Sequence, residues 1–282
     1  MRSSVRTRRR RSLGAATAIT AGALLVGSLT PASASASGAD DRYNRAGDHP
    51  MGSQIARVEG TRYDNKGGDG ITSQASAGGV QGIDVSGWQR NVDWQRWWDD
   101  GKRFTYVKAT EGLTYKNPYF TQQYNGSYDV GMIRGAYHFA LPNKSTGAKQ
   151  ASYFASNGGG WSRDGRTLPG TVDLEYNPYG STCYGKTKAG MAAWVRSFND
   201  TYHERTGRYP VIYTSTSWWN QCVGSAGDFS ETSPLWIARY AGTVGTLPAD
   251  WDYYTFWQYN NDPIDQNKFN GSREQLTTLA NG

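Results

Sequence analysis

The sequence predicts an α/β chain folded as an irregular (β/α) barrel with fewer than eight helices, TIM-barrel-like in outline. Three observations carry this. Short β-branched or aromatic runs alternate with longer helical patterns, which implies a parallel sheet. All 11 Trp lie at Trp88 or beyond, which marks 81–282 as the folded region and gives it enough chain for one sizeable core. The stretch 235–270 reads as mostly β, so the chain falls short of eight clear strand–helix pairs.

Before that region come two segments of different character. Arg2, Arg6 and Arg8 to Arg11 precede a mostly apolar run over 13–29, which is followed by Pro31 and an alternating Ala-Ser tract to Ser37. A basic start, an apolar middle and an Ala-x-Ala exit predict a secretory signal peptide over 1–36, cut after Ala34 or Ala36. The consecutive arginines suit twin-arginine export as well as the general Sec route. Residues 37–80 are rich in Gly, Ser and Asp, lack Trp, and hold scattered apolar residues such as Met51, Ile55 and Val58. Such a composition offers little burial to offset ordering entropy, so 37–80 is expected to be a flexible linker or a pro-segment.

Within 81–282, predicted strands cover 82–85, 104–109, 133–139, 171–174, 211–214, 235–238 and 254–258. Predicted helices lie between them at 92–100, 119–130, 149–156 and 187–206, with a last one at 272–279. The helix at 187–206 has the clearest pattern, with Met191, Trp194, Val195 and Phe198 recurring at i, i+3, i+4 and i+7.

Charge excludes one class of partner. The chain carries 30 basic against 24 acidic residues, a formal +6, but six arginines of the export segment account for the whole excess. The remainder is balanced, so no general attraction to nucleic acid or another polyanion is expected. No later segment approaches 18 apolar residues, which predicts a soluble mature protein without stable membrane association; a monomer is expected. Outside the cell, the lone pair Cys183 and Cys222 is most simply a disulfide. His49, His138 and His203 have no spacing that suits a metal.

In a barrel of this kind, chemistry sits at the carboxyl ends of the strands. Asp84 closes one strand, and Thr171-Val172-Asp173-Leu174-Glu175 places two acids at i and i+2 on another. Residues so spaced share a face of a strand, so Asp173 and Glu175 are expected to project together toward the barrel mouth. Neighbouring carboxylates raise each other's proton affinity, and a protonated acid beside a carboxylate is what glycoside hydrolysis requires. The 38 Tyr, Trp and Phe residues add surfaces able to stack on sugar rings, although most must form core.

Gly82-Ile83-Asp84-Val85-Ser86-Gly87-Trp88-Gln89 resembles the opening of the glycoside hydrolase family 25 lysozymes, the Chalaropsis-type N-acetylmuramidases. Further motifs follow in order: Lys108-Ala109-Thr110-Glu111-Gly112, Arg134-Gly135-Ala136-Tyr137-His138-Phe139, Val172-Asp173-Leu174-Glu175, Val211-Ile212-Tyr213-Thr214, Phe256-Trp257-Gln258-Tyr259 and Asp265-Gln266-Asn267-Lys268-Phe269. The resemblance is closest to secreted actinobacterial-type members. It implies a distorted β/α barrel acting on peptidoglycan glycan strands at the β-1,4 bond from N-acetylmuramic acid to N-acetylglucosamine, without cofactor or metal. It also implies that Glu175 is the catalytic acid and Asp173 its partner, with Asp84 and Asp265 lining the groove and Tyr137 facing the active site. Asp84 carries a catalytic or substrate-contact role in this reading.

Tyr213 and Trp257 are candidate subsite walls or core, as is Trp236. Lys108 and Glu111 are candidates for substrate contact or for an ion pair with each other, and His138 is expected to be a hydrogen-bonded core residue. Two rival functions are a hydrolase of another N-acetylated polymer such as chitin, and a wall-binding module without catalysis. The first lacks the long acidic signature of family 18 chitinases around Glu175, and the second has no need of a matched acid pair.

Overall fold

The computed structural model describes residues 47–61 and 78–282. The export segment predicted at 1–36 and residues 62–77 of the following stretch lie outside the described residues.

Among the described residues nine strands are formed: β1 (Val80–Val85), β2 (Phe104–Glu111), β3 (Tyr115–Lys116), β4 (Ile133–Phe139), β5 (Thr171–Asp173), β6 (Val211–Thr214), β7 (Leu235–Ala238), β8 (Phe256–Asn260) and β9 (Gln266–Phe269). Eight of them close a barrel in the order β1-β2-β4-β5-β6-β7-β8-β9, with β9 returning to β1 and β3 forming a short hairpin on β2. Neighbours from β1 to β8 run parallel, whereas β9 is antiparallel to both β8 and β1. The helices among the described residues are α1 (Ser53–Glu59), α2 (Trp94–Asp99), α3 (Phe120–Asp129), α4 (Gly147–Ser156), α5 (Lys188–Thr206), α6 (Thr216–Cys222) and α7 (Arg273–Asn281). The irregular barrel with fewer than eight helices is therefore as expected, and its seven predicted strands and five predicted helices are all present.

Strand parity decides what fills the barrel. Phe104 and Tyr106 of β2, Trp236 of β7, Phe256 of β8 and Phe269 of β9 point inward and pack ring on ring, at 4.8 Å between Tyr106 and Trp236 and 5.3 Å between Phe256 and Phe269. Gly135 of β4 makes room for this layer, since a Cβ there would lie 2.3 Å from the Tyr106 ring. Helix α5 buries Met191, Trp194, Val195 and Phe198 against the barrel, as the sequence spacing predicts. Thr187 caps its start and Gly207, in the left-handed region, ends it.

Four elements go beyond the sequence reading. β3, at two residues, is too short for any periodic signal. β9 is polar along most of its length and exists because β8 and β1 both offer it open edges. α6 carries two adjacent tryptophans without clear helical spacing, and begins where the Ser215 hydroxyl accepts from Trp218 N. α1 falls within 37–80, where composition predicts unburied chain. Met51 and Ile55 are instead each 1% exposed. The apolar surface that offsets the ordering entropy of this piece belongs to the barrel, so its own composition could not reveal it.

Cys183, in the loop after β5, is bonded to Cys222 at the end of α6. Among the described residues no helix is long and apolar enough to cross a membrane.

Candidate active site

The upper layer of the barrel is polar. Asp84 of β1, Lys108 of β2, Tyr137 of β4, Asp173 of β5, Tyr213 of β6 and Gln258 of β8 lie on the inward face towards the carboxyl end, and every one is fully buried. Asp265, just before β9, joins them at 7% exposure, and Glu175 follows two residues beyond Asp173 at 0%. β5 ends at Asp173, so Glu175 stands on the loop and not in the strand. The two carboxyls are nonetheless close enough to repel each other electrostatically, and Glu175 raises the proton affinity of Asp173.

Each carboxyl is in a different electrostatic position. The Asp84 Oδ2 atom accepts from Asn267 Nδ2 at 2.6 Å and from Gln258 Nε2 at 2.9 Å. Burial outweighs these donors and pushes its pKa up to about 7. Asp173 has no hydrogen-bond donor at either oxygen among the described residues. Burial, followed by repulsion from Glu175, holds it well above the ordinary carboxylate range, against the pull of Lys108. Burial also raises Glu175 to about 8, although backbone N–H donors act in the opposite direction. Asp265 is raised well above its usual value by burial and then by Asp84 and Glu175. Four acids thus share a dry site that disfavours simultaneous ionisation.

Lys108 and Glu111 form the contrasting pair. Residues three apart in a regular strand face opposite sides, but the ladder between β2 and β4 shifts register between Lys108 and Thr110. That bulge returns Glu111 to the inward face, where Lys108 Nζ lies 2.6 Å from its Oε2 atom. Burial works to raise Glu111, but Lys108 and then His49 more than compensate and hold it at about 2. An ion pair is therefore present, one of the two readings the sequence left open.

The other candidates separate into groove and core. The Tyr137 hydroxyl accepts from Met51 N at 3.1 Å. The Tyr213 hydroxyl donates to Gln258 Oε1 at 2.6 Å, which makes it a support for the residue that holds Asp84. Trp236 is core, donating to Asn267 Oδ1 at 3.2 Å. Trp257 sits on the face of β8 opposite to Gln258, donates to the Arg239 carbonyl at 2.8 Å, and packs against Tyr254 and Tyr259. The structure does not bring it together with the carboxylates. His138 is buried between Thr110 and Gln150, at 2.7 and 2.9 Å, and burial lowers its pKa to about 4.

Gln258, Asn267 and Tyr240 are site residues that sequence reasoning did not single out. The first two lay inside quoted motifs, and their inward parity on β8 and β9 was the available signal. Tyr240 follows β7 in chain order, with its hydroxyl 2.8 Å from Gln258 Oε1. Among the described residues no group of three or more His, Cys, Asp and Glu is arranged to hold a metal ion.

One further piece of chain completes the site. Residues 48–55 run across the polar layer. Gly52, Gln54 and Ile55 each donate a backbone N–H to the Glu175 carboxylate, at 2.9, 2.8 and 2.9 Å. Lys108 Nζ reaches the His49 carbonyl at 2.6 Å and Asp48 Oδ1 at 3.2 Å, and Glu111 accepts from both His49 N and the His49 ring.

Residues 83–267 match the model of the Glycosyl hydrolases family 25. Lysozyme M1 of Streptomyces globisporus is 49% identical over 215 residues, which is 73% of each chain. The N,O-diacetylmuramidase of Chalaropsis sp. is 47% identical over 211 residues, 72% of this chain and all of that one. Among solved structures, a muramidase from Acremonium alcalophilum is 56% identical with a TM-score of 0.71, covering 72% of this chain and 99% of its own. A barrel with this topology, a cluster of acids at its carboxyl end and these relatives place the chain in one family: it belongs to the glycosyl hydrolases family 25 and is a glycoside hydrolase of the lysozyme type.

Proposed function

We propose that this protein hydrolyses the β-1,4 bond from N-acetylmuramic acid to N-acetylglucosamine in bacterial peptidoglycan, with Glu175 as general acid. The observation that carries the reading is the Asp173–Glu175 pair, buried together at the end of β5 beside Asp84 and Asp265. With residues 48–55 over it, burial raises the proton affinity of Glu175 to about 8; in the open groove the neighbouring Asp173 still favours a protonated partner, which can pass its proton to the glycosidic oxygen.

The chemistry then runs as follows. Glu175 protonates the leaving oxygen as the C–O bond breaks, and the carbonyl oxygen of the substrate's own N-acetyl group closes on the anomeric carbon. The resulting oxazolinium carries positive charge beside Asp173, and that charge favours the carboxylate form of Asp173 over the protonated form that burial and Glu175 favour without substrate. Asp173 therefore gives up its proton to water and stabilises the intermediate. Water then adds at the anomeric carbon, giving its proton to the Glu175 carboxylate and restoring the acid. Asp84, aligned by Asn267 and Gln258, and Asp265 face the sugar in the same layer, and Tyr137 supplies a hydroxyl there. Export by the Sec or twin-arginine route, with 1–36 as signal, brings the enzyme to its polymer, and the Cys183–Cys222 bond suits that oxidising setting.

The test uses folded chain cut between Thr61 and Gly78, because residues 48–55 cover Glu175. Digested peptidoglycan is analysed by mass spectrometry for the sugar at each new reducing end. N-acetylmuramic acid is expected, and Glu175→Gln is expected to lower kcat by roughly 100-fold or more. N-acetylglucosamine at the new ends, or a loss of only a few-fold in the variant, contradicts the assignment.

A further inference from the structure

The acid-lined groove holds a peptide drawn from its own chain. Four independent features fit residues 48–59 to it. Gly52, Gln54 and Ile55 direct three N–H groups at the Glu175 carboxylate. Met51 and Ile55 are buried to 1% exposure on the barrel, and Lys108 grips the His49 carbonyl and the Asp48 side chain. Glu59, at the end of α1, accepts from the hydroxyls of Tyr176 and Ser215.

The fit at Gly52 is the most selective. Its φ is +78°, and a Cβ would lie 2.2 Å from the Tyr240 hydroxyl, 2.5 Å from Gln258 Oε1 and 2.6 Å from the Tyr213 hydroxyl. Those atoms are rigid parts of the same network that positions Asp84, so they have little freedom to yield. Only glycine lets the backbone come this close in this conformation.

We propose that residues 48–59 are an intramolecular inhibitor: a peptide plug that occupies the glycan groove and engages the Glu175 carboxylate until it is released. The inference rests on the muramidase reading for what is inhibited, but the peptide's binding to the groove stands apart from it. A sugar cannot reach Glu175 while three main-chain N–H groups and the Met51 side chain fill the space. The same donors stabilise the ionised form of Glu175, which is the wrong form for a general acid. Release follows hydrolysis of one peptide bond between Thr61 and Gly78 by an endopeptidase. Water adds to the carbonyl carbon, the amine leaves with the barrel fragment, and the plug becomes a separate molecule free to dissociate.

To test this, a recognition sequence for a site-specific endopeptidase is placed within 62–77 of the chain starting at Asp40. Release of reducing ends from purified peptidoglycan is compared before and after cutting and gel filtration. The cut chain is expected to be at least ~10-fold faster, and Gly52→Ala is expected to raise the uncut rate toward that of the cut chain. A fluorescent peptide spanning 47–61 should bind the cut chain and slow it, and the same peptide with Gly52→Ala should bind at least ~10-fold more weakly. Equal and measurable rates before and after cutting, or no binding of the peptide, overturn the inhibitor. Peptide binding to a cut chain that releases no reducing ends leaves the plug standing and overturns the muramidase reading instead.

Discussion

Glu175 owes its character to what surrounds it, namely a fully buried site, a second carboxyl at Asp173 and no cation among its hydrogen-bond partners in the described residues. Burial drives its proton affinity up to about 8, well above the usual glutamate value. Lys108, a fully buried cation, is already committed to Glu111, Asp48 and the His49 carbonyl. That allocation is what permits one carboxylate, Glu111, to remain ionised while others nearby hold protons. A rate that depends on protonated Glu175 must decline as pH rises and the proton is lost. For cut chain, kcat measured from pH 4 to 9 is therefore expected to fall on the alkaline side, with its midpoint above 4.5. A kcat that stays flat through pH 9 speaks against Glu175 as the acid.

At the scale of elements, two departures from regularity build the site. The bulge in β2 turns Lys108 and Glu111 to one face, and without it one of them would point into the helical layer. β5 stops at Asp173, which lets Glu175 swing to the barrel mouth on a loop. The disulfide ties that same loop to the end of α6 across a separation of 39 residues. In the chain-entropy account such a link is worth about 4 kcal/mol. Replacing both Cys183 and Cys222 by Ser is expected to reduce the unfolding free energy in denaturant titrations by roughly that amount, and a loss below about 1 kcal/mol contradicts the estimate.

For the whole molecule, the acid cluster makes stability depend on pH. Asp84, at about 7, and Glu175, at about 8, bind protons more tightly in the folded chain than free carboxyls of their kind, which titrate at 3.8 and 4.5. A raised folded pKa contributes stability that is fully present below the unfolded value and is lost as pH rises through the folded one. Glu111 acts with the opposite sign, contributing above its ordinary 4.5 and losing its contribution as pH falls toward 2. The uncut chain is therefore expected to have its highest Tm near pH 5, lower values at pH 8, and a second decline below pH 4. Thermal unfolding at those three values checks it, and a Tm at pH 8 equal to or above that at pH 5 rules it out.

The sequence alone determined the barrel, because strand and helix periodicity and the order of motifs are local properties that each stretch carries with it. It also determined the candidate acids, since a strand end names its last inward residue by parity, as with Asp84 and Asp173. Tertiary structure decided the rest, in places where a residue's environment comes from distant chain. Trp257 reads equally as a subsite wall or as core until the fold places it on the far side of β8 from Gln258. β9 is a strand only because two edges receive it. Residues 48–59 are the clearest case: too polar and too short to order themselves, they find hydrogen-bonding partners 40 to 188 positions away in the chain.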